Sequence, residues 1–239
     1  MSIKENAGDS IKVENAGWTF AGEVSKNFEA HIARSVPFYH EGHELIAEIS
    51  DFFLHDDSVC YDLGCSTGKL AHMLAERHSR KKAKFLAVDK EKDMAAKAKT
   101  ECGGLKNVVI LHSDLLDIEL EKADLIISYY TMQFIHPKNR QVMFNRIFEA
   151  LNWGGGFLLF EKVRGPDARF QDMMTSLYTD YKTENGFTGD EIITKGRSLK
   201  GVLEPFSTKG NLDLLARAGF ADVMTVMKYI CFEGFLAVK

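Results

Sequence analysis

A chain of 239 residues, 45% hydrophobic and 27% charged, has the size and composition of one soluble globular domain with a small appendage. Its net charge of −4 gives no general pull toward polyanions, so no direct nucleic-acid binding is expected. No run approaches the ~18 apolar residues of a membrane helix, and the polar start from Met1 to Asn15 lacks an apolar secretion core. A cytoplasmic protein that does not enter membranes is expected.

Cys60, Cys65, Cys102 and Cys231 match neither a zinc C-x-x-C pair nor a disulfide framework, so reduced thiols are expected. Residues 1–16 are polar and predicted to be loose. Order begins at Gly17-Trp18-Thr19-Phe20. Val24, Phe28 and Ile32 recur at helical spacing until Pro37 breaks the pattern. A second helix over 41–54 carries Leu45, Ile46, Ile49, Phe52 and Phe53 on one face. Strands then alternate with helices: strands at 59–63, 84–88, 107–111, 123–128 and 156–161, helices at 68–79, 91–101 and 138–151. Leu125-Ile126-Ile127 is apolar at successive positions, which requires burial on both faces and hence a parallel sheet. Residues 163–205 interrupt this alternation with helices at 167–182 and near 188–202, an inserted lid or a dimer contact. A helix at 208–218 precedes a closing hairpin of 223–231 and 234–238. The expected class is α/β, a single domain over 17–239 with a helical insertion at 163–205.

The chemistry starts at Val59-Cys60-Tyr61-Asp62-Leu63-Gly64-Cys65-Ser66-Thr67-Gly68, a strand running into a glycine turn. Asp89 follows 21 residues after Gly68, at the end of the next strand. Gly64 and Gly68 have no Cβ, so the backbone turns sharply and a ligand can approach it. A carboxylate ~20 residues on accepts the hydroxyls of a ribose. D-x-G-x-x-x-G with that acid resembles the S-adenosylmethionine (SAM) site of class I methyltransferases, Rossmann-like folds with a seven-stranded sheet. The resemblance implies that Asp62 orders the turn or meets the amino-acid end of SAM, where a helix-capping role is the alternative. It places the amides of Gly64, Cys65 and Ser66 along the methionine portion. Asp89 takes the ribose or caps the next helix, Lys90 lies along the adenosine, and Asp114 with the Leu115 amide reads the adenine. Beyond strand 123–128, Tyr129 or Tyr130 would wall the methyl group. His136 is a candidate general base or a surface histidine. His31, His40 and His43 form no H-x-x-x-H pair with an acid, and no metal is expected.

A narrower likeness runs from Trp18 to Lys239. Trp18-Thr19-Phe20, Arg34-Ser35-Val36-Pro37, Tyr61-Asp62-Leu63-Gly64-Cys65-Ser66, Gln133-Phe134, Glu161-Lys162, Asn185-Gly186 and Ala218-Gly219-Phe220 resemble the carboxy-S-adenosylmethionine synthases. These enzymes modify SAM itself for tRNA wobble-uridine modification. The resemblance adds Tyr39 to the cofactor contacts and implies a homodimer. Two positions depart from it. Tyr129 stands where the family has a cofactor-contacting Asn. In Lys195-Gly196-Arg197, Gly196 stands where the family has the arginine that holds the added carboxylate. Arg197 would replace it only through a local slip, because helix neighbours point about 100° apart. The expectation is therefore a SAM-dependent methyltransferase of this descent acting on a small molecule. The alternatives are carboxy-SAM synthesis from SAM and prephenate with Arg197 as clamp, and a non-catalytic dimer binding SAM or S-adenosylhomocysteine (SAH).

Overall fold

The computed structural model of the chain describes residues 5–9 and 11–239. A short hairpin, β1 (Glu5–Asn6) and β2 (Lys12–Val13), precedes two helices, α1 (Glu23–Ser35) and α2 (Tyr39–Ser50). The alternating region follows: β3 (Val59–Leu63), α3 (Lys69–Arg77), β4 (Lys84–Asp89), α4 (Lys92–Glu101), β5 (Val108–His112) and β6 (Ala123–Tyr129). A 3₁₀ turn (Met132–Phe134) leads to α5 (Pro137–Ala150) and β7 (Leu151–Lys162). Helices α6 (Ala168–Glu184), α7 (Gly189–Ser198) and α8 (Thr208–Ala218) come before the closing strands β8 (Asp222–Tyr229) and β9 (Phe232–Val238).

The main sheet has the order β5-β4-β3-β6-β7-β9-β8. Its first five strands are parallel, and β9 runs antiparallel to both β7 and β8. The expected seven-stranded arrangement with an antiparallel closing hairpin is therefore present. Side-chain alternation splits the core in two. Tyr61, Leu63, Ile126, Phe157 and Leu159 pack toward α5 and α8, while Cys60, Leu125, Ile127, Leu158 and Phe160 pack toward α2 and α3. Both faces are covered, which is why these strands read as unbroken apolar runs. Truncating a fully buried phenylalanine such as Phe157 would cost about 3–5 kcal/mol.

Strand order reverses at β3, with β4 on one side and β6 on the other. In an open α/β sheet this leaves a crevice beyond the carboxyl ends of the strands. The turn after β3, the end of β4, the segment after β5 and the end of β6 all reach that edge.

Two regions differ from the sequence expectation or refine it. Residues 5–9 and 11–16, expected to be loose, form the β1–β2 hairpin, with Ala7, Ile11 and Val13 buried beside Trp18. Three small apolar residues among polar ones carry no periodicity, so only tertiary contact reveals them. They are fastened to α7: Ala16 N–H donates to the Arg197 carbonyl (3.1 Å), and the Thr194 hydroxyl donates to Glu5 (3.1 Å). Helix α6 lies on the outside and has no buried residue. Phe170, Met173 and Leu177 remain exposed along it.

Candidate active site

Beyond β3 the chain turns at Gly64, whose φ of +85° suits glycine, and an added Cβ there would collide with the Thr131 side chain. Ser66 also adopts the left-handed region (φ 51°). Its N–H donates to Asp89 Oδ2 (2.8 Å), while Asp89 Oδ1 accepts from Glu91 N–H at the start of α4 (2.8 Å). Asp89 thus ties the glycine turn to the residue that precedes α4, but the N-cap of that helix is Glu91, with no side-chain cap bond. Each carboxylate oxygen retains a second lone pair for a ribose hydroxyl. Burial pushes the Asp89 carboxyl upward, and the two backbone donors oppose that shift.

Asp62 is buried and its Oδ2 has no partner among the described residues. Burial, reinforced by the charge of Asp89, raises its carboxyl to about 7. A buried lone oxygen of this kind is costly without a donor or cation. Asp114 Oδ1 accepts from Leu116 N–H (2.9 Å), which leaves Oδ2 for an adenine amino group. Lys90 is exposed at the rim, and Lys69 pairs with Glu101 (2.8 Å) on the surface.

These groups line one cavity of about 420 Å³ together with Tyr39, Tyr129, Tyr130 and His136. Sequence reasoning brought those residues together, and the structure gives them unequal parts. The Tyr129 hydroxyl donates to the Tyr39 carbonyl (2.7 Å), and the hydroxyl fills the space a Cβ on Gly42 would occupy. It acts as a spacer between β6 and α2. Tyr130 has φ 58°, is buried, and its hydroxyl has no partner among the described residues. His136 is exposed at the rim and caps α5, its Nδ1 accepting from Lys138 N–H (3.2 Å). Arg197 is exposed and does not line the cavity, whereas Gly196 does. A Cβ on Gly196 would meet nothing within 4 Å.

The segment after β6 is pinned from beneath. Arg140 donates to the carbonyls of Ile135 (2.8 Å) and Gln133 (2.9 Å), and Gln133 N–H donates to buried Glu161 (3.2 Å). Burial raises the Glu161 carboxyl to about 8, with nearby Arg140 opposing. Lys162 N–H donates to the Gln133 side chain (2.8 Å). This segment is therefore a fixed wall.

The far side of the cavity holds residues that sequence reasoning left without a role. Lys162 and Lys182 each place Nζ over the Tyr178 ring, at 4.3 and 4.4 Å. Lys195 Nζ sits 5.1 Å from the Trp18 ring centroid. Among the described residues none of the three forms an ion pair with a carboxylate. Burial, and then the charge of Lys162, lowers Lys182 to about 8. Burial, then Lys182 and Lys162, lowers Lys195 to about 7. Burial lowers Lys162 as well. Three lysine amines gathered without a carboxylate partner among the described residues make a site for an anion. No sequence spacing marks them, since they come from β7, α6 and α7. The Glu161-Lys162 and Lys195-Gly196 pairs named above were the only cue.

Of six buried polar side-chain atoms without a partner among the described residues, those of Trp18, Asp62 and Tyr130 belong to this cavity wall. An adenosyl amino acid fits that pattern: an ammonium for Asp62, a diol for Asp89 and an adenine for Asp114.

Residues 60–155 match the family model described as a methyltransferase domain. The chain is 36% identical to the carboxy-S-adenosyl-L-methionine synthase of Staphylococcus epidermidis, over 93% of this chain and 97% of that one. It is 35% identical to the synthase of that name from Campylobacter lari, over 92% and 94%. The chain belongs to the carboxy-S-adenosyl-L-methionine synthase family. Among solved structures it resembles human N-acetylserotonin methyltransferase in complex with SAM (TM-score 0.60, 18% identity, 91% of this chain and 55% of that one). It also resembles an O-methyltransferase family protein from Burkholderia thailandensis (TM-score 0.63, 14% identity, 91% and 60%). Those likenesses speak for the fold, that of class I methyltransferases. As a carboxy-S-adenosyl-L-methionine synthase family member, the chain is a SAM-dependent transferase, and SAM is its cofactor.

Proposed function

We propose that the chain is a SAM-dependent methyltransferase acting on a small molecule that carries an anionic group. The observation behind this reading is the composition of the acceptor end. Among the described residues no arginine lines the cavity, Gly196 presents no side chain, and Lys162 and Lys182, beside Lys195, supply the positive charge. In this reading Asp89 takes the ribose, Asp114 with the Leu115 amide takes the adenine, Asp62 takes the ammonium, and the amides of Gly64 to Ser66 follow the methionine chain. Bound SAM supplies an electrophilic methyl group. The protein's own contribution is to hold acceptor and methyl in line at about 3–3.5 Å, with Tyr130 and the pinned segment behind it as a rigid wall.

A second reading keeps carboxy-SAM synthesis. It is supported by 36% identity over 93% of the chain, and the lysines replace the missing guanidinium as carboxylate ligands. It no longer runs through Arg197, which faces away from the cavity. Mass spectrometry of the ligand carried through native purification separates the readings. SAM or SAH, with labelled methyl entering a small product from cell extract, supports the first. A co-purified ligand heavier by one carboxyl group, without labelled product, overturns it.

We also propose a cytoplasmic homodimer. The four free, buried cysteines suit a reducing compartment. Phe170, Met173 and Leu177, spaced one turn apart on α6, suit a second copy of the same helix.

A further inference from the structure

Lys195 does not reach the cavity alone. Its Nζ contacts His31 Nε2 and lies 3.0 Å from the Ser35 hydroxyl. His31 is 3% exposed, and its other nitrogen, Nδ1, lies 2.7 Å from Asp9 Oδ2. Asp9 belongs to the N-terminal hairpin, where φ is 52°. It is fixed there by Arg34 on its second oxygen (2.8 Å) and by Asn27 on its carbonyl (3.1 Å). The result is a carboxylate–imidazole–amine chain that joins the hairpin, α1 and α7 and ends at the cavity wall beside Gly196.

The protons in this chain are determined by its partners. Asp9 accepts only, so His31 donates from Nδ1 and offers the Nε2 lone pair. Burial, the largest cause, lowers His31 to about 4, which keeps the ring neutral. Lys195 therefore has two acceptors, His31 Nε2 and the Ser35 oxygen. A neutral amine has two N–H bonds to give them and one lone pair left over. Its third tetrahedral direction carries that lone pair.

We propose that Lys195 is the base that removes the proton of the methyl acceptor, with His31 and Asp9 as positioning residues that hold its amine. This rests on the methyl-transfer reading above. The acceptor is a hydroxyl or protonated amine, X–H, on an anionic small molecule. As the X–C bond to the methyl forms, the C–S bond breaks and its electron pair stays on sulfur. The X–H bond breaks, its electron pair stays on X, and the proton passes to Lys195 Nζ, which becomes an ammonium. Lys162 from β7 and Lys182 from α6 oppose a resting charge on Lys195, while Asp9 favours it and Arg34 of α1 faces the same carboxylate. The two flanking lysines are left to hold the acceptor's anionic group.

The test uses the full chain saturated with SAH and labelled at the lysine ε carbon, titrated by NMR. The signal missing in Lys195→Arg is expected to titrate near pH 7, well below the ordinary ~10.4. Asp9→Asn and His31→Gln are expected to displace that midpoint while SAH affinity stays unchanged by calorimetry. A Lys195 that remains charged throughout, or ignores both substitutions, overturns the inference. Absence of SAH binding by the unaltered protein overturns instead the cofactor reading beneath it. Labelled methyl transfer from SAM to small-molecule extract gives the second arm. Lys195→Met and Lys195→Arg should both lose about 100-fold or more of the product, because guanidinium does not deprotonate. An active Lys195→Arg would make Lys195 an anion ligand and end its role as base.

Discussion

The two ends of the cavity are built in opposite ways. The cofactor end comes from consecutive strand termini, is acidic, and uses backbone amides held by Asp89. The opposite end comes from β7, α1, α6, α7 and the N-terminal hairpin, is basic, and uses side chains alone. The first has its geometry dictated by the sheet. The second assembles amines that repel one another and have no carboxylate partner among the described residues.

The largest effect that would break this contrast is at Gly64. Gly64→Ala places a Cβ against Thr131 at a positive φ, and SAH affinity should fall by about 100-fold or more, roughly 3 kcal/mol. Calorimetric affinity within about threefold of the parent would show the turn to be slack. Next comes Asp89→Ala, which removes the acceptor of Ser66 and Glu91 and should weaken SAH binding by about 10- to 100-fold. Unchanged binding would remove the nucleoside from this crevice altogether.

At the basic end the sign reverses. Lys162→Met and Lys182→Met each delete a partly buried cation without an acidic partner, so thermal stability should rise, by ~2–4 °C for each kcal/mol of relieved repulsion. SAH affinity should barely move. A lower melting temperature for both would mean that the stacking on Tyr178 outweighs the repulsion.

The same contrast sets the pH response. Asp62, raised to about 7, lets the folded chain hold a proton that the unfolded chain releases near 4, so its contribution is lost as pH rises toward 7. Lys182 and Lys195, lowered to about 8 and 7, lose their protons in the fold above those values while the unfolded chain still binds them. Their contribution is gained as pH rises from about 7 toward 10. Melting curves of Asp62→Asn should weaken the first limb, to which buried Glu161, raised to about 8, also contributes, and those of Lys182→Met should weaken the second only. The smallest effect belongs to Tyr129→Phe. It loses one hydrogen bond to the Tyr39 carbonyl, about 1 kcal/mol, and should lower the melting temperature by ~2–4 °C with the cofactor bound as before.

Legibility in the sequence divides along the same line. The turn from Asp62 to Gly68, Asp89 and Asp114 could be read because strand, turn and carboxylate lie in one local stretch with fixed spacing. Buried strands such as Leu125-Ile126-Ile127 announced the parallel sheet. The split roles of Tyr129 and Tyr130 could not be read, since adjacent residues diverge when one adopts a positive φ. His136 reads as a candidate base from its residue type, and the fold adds what the sequence does not show, that Nδ1 caps α5 while the side chain lines the cavity. Beyond the Glu161-Lys162 and Lys195-Gly196 pairs, nothing in the sequence marks the lysines, His31 and Asp9 as one cluster, for a simpler reason. Their meeting depends on five separate elements, and no spacing within any one of them points to the others.

The hairpin at the start of the chain also affects how the molecule is made. The bonds that fasten it, Asn6 to Glu191 and Glu5 to Thr194, bridge separations of 185 and 189 residues. Closing so long a loop is entropically slow, and during synthesis α7 leaves the ribosome long after β3 and β4. Nucleoside capture should mature before proton removal, and pulse-labelled amide exchange during refolding should show protection at Gly64–Asp89 ahead of Ala7–Val13.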